Sequence, residues 1–357
     1  MKTQLNLPVI SDLSGVMDVI GKRLDGLIPS RMDMLNGKQV LFTNDRVLKP
    51  LGGWDVTLAY RDIPVHRLER VDVPAYVVAV DSSCILIGDT IDGSIYSAKS
   101  SIALSCNGKP LTHALIGPLL FYIQHEYGDE IGGMGMEDVK RMIRVRLERL
   151  IQHELASSLR GIILLVDGSL RHSIHEYLYT IHKIEDICRV NNNILVGLSK
   201  STRLRYLDGM ISLLSREGYP CYADVTALVE KVCHGKKRDS KDHGSCCDGD
   251  DGHDCSSSST DARRRGSMSK VYSLLARLTA NGLVFRVDLL DDPQRSLGIL
   301  MANDAFHNGY PESLRIAHHT SVFTHTDLLC IKGFMKSRFN IREVDGDDIR
   351  RILLGRI

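Results

Sequence analysis

Two apolar, β-type runs in this sequence end in an aspartate followed by small residues. They are Tyr76-Val77-Val78-Ala79-Val80-Asp81-Ser82-Ser83 and Ile162-Ile163-Leu164-Leu165-Val166-Asp167-Gly168-Ser169-Leu170. A short buried strand that delivers a carboxylate to its end, twice in one chain, is how α/β enzymes assemble an acidic metal pocket. Strands lying side by side set both carboxylates at one edge of a sheet, where they can share divalent cations; two-metal sites hold their ions about 3.5–4 Å apart. Such a pocket suits hydrolysis of a phosphodiester. Glu154 is a third acidic candidate, near the end of the helix that feeds the Asp167 strand. A tight turn competes for each motif, because Asp and Gly are favoured in turns for backbone reasons alone.

Other groups stand at suggestive positions. In Asn308-Gly309-Tyr310-Pro311-Glu312-Ser313-Leu314-Arg315-Ile316-Ala317-His318-His319, Pro311 suits the first turn of a helix. Tyr310 then stands at the helix entrance and His318 about two turns further on. A histidine can ligate a transition metal or donate to phosphate; the alternative is an ordinary, partly buried histidine pair on a surface helix. Lys200, just after an apolar run at Ile194 to Leu198, is either a phosphate contact at the same sheet edge or a solvated loop lysine. Lys140, Arg141, Arg144, Arg146 and Arg149 crowd one helix, either to track a nucleic-acid backbone or simply to solvate its exterior.

The elements that must position these groups follow from periodicity. Apolar spacing predicts a helix over Leu7 to Ile28. An antiparallel meander of about three strands is expected over Pro74 to Ser105 (Tyr76 to Val80, Cys84 to Ile87, Gly93 to Leu104), with the first strand ending at Asp81. Helices are expected over Glu137 to Leu159, Ile174 to Val190 and Lys270 to Ala280, with a short one after Pro311. Strands are expected at Ile162 to Val166, Ile194 to Leu198, Leu283 to Val287 and Leu297 to Met301. The β-α-β alternation in the middle of the chain implies a mainly parallel half of the sheet. The organisation expected is an N-terminal helical and irregular region over 1–73, for dimer or partner contact, and one domain over 74–357. Residues 233–266, rich in Asp, Ser, Gly and basic residues, read as a disordered surface insertion. Cys233, His234, Cys246, Cys247, His253 and Cys255 within it offer zinc-type ligands, but at no regular CxxC spacing.

Composition excludes several classes. At 357 residues, 43% hydrophobic and 25% charged, the chain has the profile of a globular protein with a full core. Its apolar runs are too short to cross a bilayer, and the N-terminus lacks a signal-peptide pattern, so a cytoplasmic protein with no membrane partner is expected. Nine scattered cysteines fit free thiols, several of them buried. A net charge of +1 means that any grip on nucleic acid rests on local positive charge or on a partner.

In this order, Val80-Asp81-Ser82-Ser83, Leu165-Val166-Asp167-Gly168-Ser169-Leu170, Val196-Gly197-Leu198-Ser199-Lys200, Gly309-Tyr310-Pro311 and Ala317-His318 resemble the NurA family of archaeal and bacterial nucleases. The resemblance runs from about Pro74 to the end, insertion excepted. It implies an RNase H-like α/β fold, a mixed sheet with flanking helices. It also implies a manganese-dependent deoxyribonuclease, with Mg2+ possible. The implied activity is 5′–3′ exonuclease action on single- and double-stranded DNA, with endonuclease action on single strands. A homodimer docking on a HerA-type hexameric ATPase during double-strand-break resection is implied as well. The family's acidic ligands fall on Asp81, Glu154 and Asp167, its later Tyr on Tyr310, and its His on His318 or the neighbouring His319. The family commonly has Gly where Ser82 stands and apolar or Pro residues where Glu312-Ser313 stands. Two other classes compete: a non-catalytic scaffold subunit that docks on the ATPase, and an RNase H-fold nuclease specific for RNA.

Overall fold

The computed structural model describes residues 13–24, 27–28, 30–35, 39–42, 63–124, 135–170, 180–199, 208–230 and 271–343. Lys200 and the 233–266 insertion lie outside the described residues.

Before residue 74 the chain supplies α1 (Leu13–Leu24), β1 (Gln39–Phe42) and β2 (Val65–Arg67). Strands β3 (Val77–Asp89), β4 (Gly93–Cys106) and β5 (Lys109–Gln124) form an antiparallel meander. Then come α2 (Met136–Ser158), β6 (Ile163–Asp167), α3 (Ile181–Val190) and β7 (Ile194–Ser199). The remainder runs α4 (Asp208–Arg216), β8 (Cys221–Asp224), β9 (Tyr272–Arg277), β10 (Phe285–Leu289) and α5 (Pro293–Asn303). It closes with a small hairpin, β11 (Phe306–His307) and β12 (Tyr310–Pro311), then α6 (Glu312–Ser321), α7 (His325–Phe339) and β13 (Arg342–Glu343).

One 11-stranded sheet takes the order β13-β1-β3-β6-β7-β10-β9-β8-β2, with β4 and β5 continuing from β3. Strands β3, β6 and β7 are mutually parallel, joined to the antiparallel β3–β4–β5 meander. This is the RNase H-like arrangement implied by the family resemblance. Strands β1 and β2, from the region before residue 74, belong to the same sheet.

The two faces of the sheet are covered separately. Val78, Val80, Leu164 and Val166 pack with Leu147, Leu150, Ile151 and Leu155 of α2 and with Ile181 and Ile184 of α3. Their neighbours Val77, Ala79, Ile163 and Leu165 pack on the other side with Leu297 and Leu300 of α5 and Leu314 and Ala317 of α6. Each fully buried aliphatic side chain of this kind contributes about 1.5–3 kcal/mol. Since side chains alternate along a strand, residue 81 continues the 77-79 row and residue 167 the 163-165 row, both toward α6. Among the described residues, no helix is long and apolar enough to cross a membrane.

Three local expectations need correction. β3 does not stop at Asp81 but runs to Asp89, so Cys84 to Ile87 is no separate strand and the third strand of the meander is β5. The apparent polar break is absorbed by pairing: Ser82 Oγ donates to Ser100 Oγ at 2.8 Å, and Ser100 Oγ to the Asp81 carbonyl at 2.9 Å. The helix expected at Lys270 to Ala280 is strand β9, which lies between β8 and β10. With Leu274 and Ala276 buried on one face and Leu275 on the other, it reads as an unbroken apolar run, which periodicity cannot assign. The strand expected at Leu297 to Met301 lies inside α5, whose start is fixed by Pro293 and by the Asp292 side chain accepting from the Arg295 backbone N–H.

Candidate metal centre

Sheet register brings the two strand aspartates together. The β3–β6 ladder pairs Val80 with Val166, so Asp81 and Asp167 occupy the next positions of adjacent parallel strands. Beyond that point β3 continues without β6, and a fork opens. Helix α6 crosses it and grips Asp81 twice. His318 Nδ1 lies 2.8 Å from Asp81 Oδ2, and Ser321 Oγ donates to the same oxygen at 3.0 Å. With a carboxylate as its partner, Nδ1 is the donor, and Nε2 is the atom left to bind a cation or exchange a proton. Ligand atoms of Asp81, Asp167 and His318 all lie within 4.8 Å of one another. His319 stacks edge-on against His318 at 6.1 Å, so of the two histidines it is His318 that joins Asp81.

Tyr310 brings its hydroxyl to 3.5 Å from Asp167 Oδ1. Burial, reinforced by the Asp167 and Asp81 carboxylates, pushes its phenol far above the ordinary range. It is therefore a neutral donor, not a nucleophile. Glu154 is placed elsewhere: its carboxylate pairs with Arg23 Nη1 of α1 at 2.7 Å and with His153 Nδ1 at 2.9 Å. The acidic residue of α2 that senses the centre is Glu148. Burial pushes its carboxyl up to about 7, with Arg149 and Arg144 opposing and Asp81 and Asp167 adding to the rise. Six residues separate 148 from 154, about 240° round an α-helix, so one helix cannot aim both at one point. Gln152 Nε2 donates to Glu148 at 3.2 Å and is itself held by Arg149 at 2.6 Å. The Arg-rich helix is thus partly internal, with Arg149 buried.

Comparison with known proteins identifies the domain that carries these residues. The NurA domain model matches residues 76–323. The chain belongs to the NurA domain family. Among solved structures it is similar to the NurA nuclease from Sulfolobus solfataricus, at 13% identity over 92% of this chain and 95% of that one, with a TM-score of 0.45. It is also similar to a NurA bound to dAMP and manganese (10% identity, 76% and 90% covered, TM-score 0.42). A third similarity is to the catalytic domain of human Endonuclease V (13% identity, 76% and 92% covered, TM-score 0.37). No curated protein sequence matches it significantly.

Within this NurA domain the donor set fits a divalent cation. Two carboxylates and an imidazole converge, and burial pushes the Glu148 carboxyl up to about 7, with repulsion from Asp81 and Asp167 adding to the rise. A cation relieves that repulsion and draws the proton off. The NurA loop after Asp167 is fastened from below by Asp288 of β10, a residue the sequence reading passed over. Its carboxylate accepts from Ser169 Oγ (2.7 Å), the Leu170 N–H (3.2 Å) and Ser273 Oγ (2.8 Å), and pairs with Arg286 (3.1 Å). Gly168 has φ +133°, and Gly197 of β7 lets the loop approach: a Cβ there would sit 2.7 Å from the Gly168 carbonyl oxygen.

Proposed function

We propose that this chain is a metal-dependent deoxyribonuclease that hydrolyses phosphodiesters at DNA ends. The observation that carries the reading is the convergence of Asp81, Asp167 and His318 at the fork between β3 and β6, in a member of the NurA domain family. Asp81, Asp167 and His318 would hold the cation, with Glu148 completing the set from α2. A nitrogen donor among carboxylates favours Mn2+ over Mg2+, which prefers an all-oxygen shell. Lewis acidity toward the scissile phosphate and a lowered pKa of the attacking water are what such a cation supplies when bound.

The side chains do the rest. Ser321 and His318 fix the orientation of the Asp81 carboxylate. The neutral Tyr310 hydroxyl offers a hydrogen bond to a phosphate oxygen. His318, with Nδ1 donating to Asp81, would present Nε2 to the cation. Water is the nucleophile and no covalent intermediate forms: its oxygen joins phosphorus as the bond to the leaving 3′-oxygen breaks, and that oxygen takes a proton. The partners proposed with this reading are DNA, single- or double-stranded, a second copy of the chain, and a HerA-type hexameric ATPase. Lys200 is proposed as a phosphate contact and residues before 74 as the partner-facing region. DNA, the second copy and the ATPase rest on the family resemblance, Lys200 on its place just after β7, and the region before 74 on its apolar helical spacing.

The test is a digestion time course on end-labelled single- and double-stranded DNA, with matched RNA alongside, in manganese, magnesium or chelator. We expect cleavage of DNA in manganese and none in chelator. Asp81→Asn and Asp167→Asn should each lower it by more than about a thousandfold, since charge stabilisation at such a centre is worth several kcal/mol. Full manganese-dependent activity in both variants would remove the proposed centre; inactivity of the unmutated protein on every substrate would favour a scaffold role.

A further inference from the structure

A cavity of about 290 Å³ adjoins the acidic cluster and shares two residues with it, Tyr310 and His318. Its remaining wall has a different character. Leu283 and Phe285 line it from the approach to β10, and Asn308 from the turn of the β11–β12 hairpin. The Phe285 ring meets the Tyr310 ring edge-on at 5.4 Å, so the apolar wall is continuous with the residue that reaches Asp167. The two rims are fastened together: the Leu283 N–H donates to the Asn308 carbonyl at 2.8 Å. Gly282 and Gly309 touch so closely that a Cβ on Gly282 would lie 2.7 Å from the Gly309 Cα. Leu283 nevertheless leaves 63% of its surface exposed at this rim.

We propose that this cavity receives one unpaired nucleobase, from the nucleotide flanking the phosphate held at the metal centre. The proposal rests on the nuclease reading and names a subsite for it. An apolar wall with an amide at its edge suits the flat face of a base, and His307, His318 and Arg315 (the last paired with Glu312) supply the polar part of the lining. The volume, near the small end for ligand pockets (about 300–1,000 Å³), is ample for one planar base.

The experiment uses single-stranded oligonucleotides carrying one tetrahydrofuran abasic residue, with cleavage scored linkage by linkage in manganese. Wild-type protein should cut the linkage on one side of the abasic residue about tenfold more slowly than the same linkage in unmodified DNA, in keeping with the contribution of one base contact. In Leu283→Asp that ratio should fall to near one. Equal cutting of both substrates by wild type at every linkage, or an unchanged ratio in Leu283→Asp, overturns the subsite while leaving the nuclease reading standing. Absence of cleavage of unmodified DNA by wild type fails that underlying reading instead.

Discussion

The acidic residue of α2 proposed to serve the centre is distinguished by what surrounds it. Burial pushes the Glu148 carboxyl up to about 7, with the two strand aspartates adding to the rise, whereas Glu154 is paired with Arg23 and His153. Glu148→Gln should therefore weaken manganese affinity by about 10–100-fold, the usual cost of disturbing groups that support a metal centre. Glu154→Gln should leave that affinity near wild type and cost about 1 kcal/mol of stability, since Arg23 is half exposed. Calorimetric titration of both variants decides between them; a larger loss in Glu154→Gln would reverse the assignment. Spacing does not separate the two: Glu148 falls three and seven residues before Ile151 and Leu155, Glu154 three and four after Ile151 and Leu150, and both are buried. Position along the chain favoured Glu154 for lying nearer the Asp167 strand, but rotation about the helix decides which residue faces the sheet.

At the scale of elements, the fork depends on how closely β7 supports the loop that follows β6. Gly197→Ala would press a methyl group into the Gly168 carbonyl and Leu170. We expect about 1–3 kcal/mol of destabilisation, as for other overpacked sites, together with weaker manganese binding as Asp167 shifts. Thermal melts with and without the ion measure both; unaltered ion-dependent stabilisation would show that the loop does not transmit the strain. The β3, β6 and β7 strands, α2 and the helix after Pro311 were legible because each has a clear period or a defined stop, such as Gly161 after α2. Strand β9 was not, because burial on both faces erases alternation. Nor was the length of β3, since Ser82 and Ser83 look like a turn until their hydroxyls are seen to be paired within the fold. The aspartates were legible by type and place, but Ser321, which holds Asp81, and Asp288, which holds the loop after Asp167, are recognisable only once α6 and β10 are in position.

For the molecule as a whole, α6 must be docked for the centre to exist, and its docking includes a buried acid. Asp304 accepts from the Ser313 and Ala305 backbone N–H groups, at 3.3 and 2.9 Å, and burial pushes its carboxyl from 3.8 up to about 6. A raised folded-state value means that this group's contribution is fully present below pH 3.8 and is lost as pH rises through about 6. Relative to Asp304→Asn, wild-type stability should fall by about 2 kcal/mol between pH 4 and pH 7, at 1.36 kcal/mol per unit of pKa shift. Denaturant unfolding across that range checks it, and a flat difference would show that folding does not shift the Asp304 carboxyl. The distance along the chain between the partners at the fork has its own consequence. His318 follows Asp81 by 237 residues. A ribosome that has already made both aspartates and Glu148 has yet to make the imidazole and the hydroxyl that orient Asp81. A half-synthesised chain is unarmed toward the nucleic acids around it.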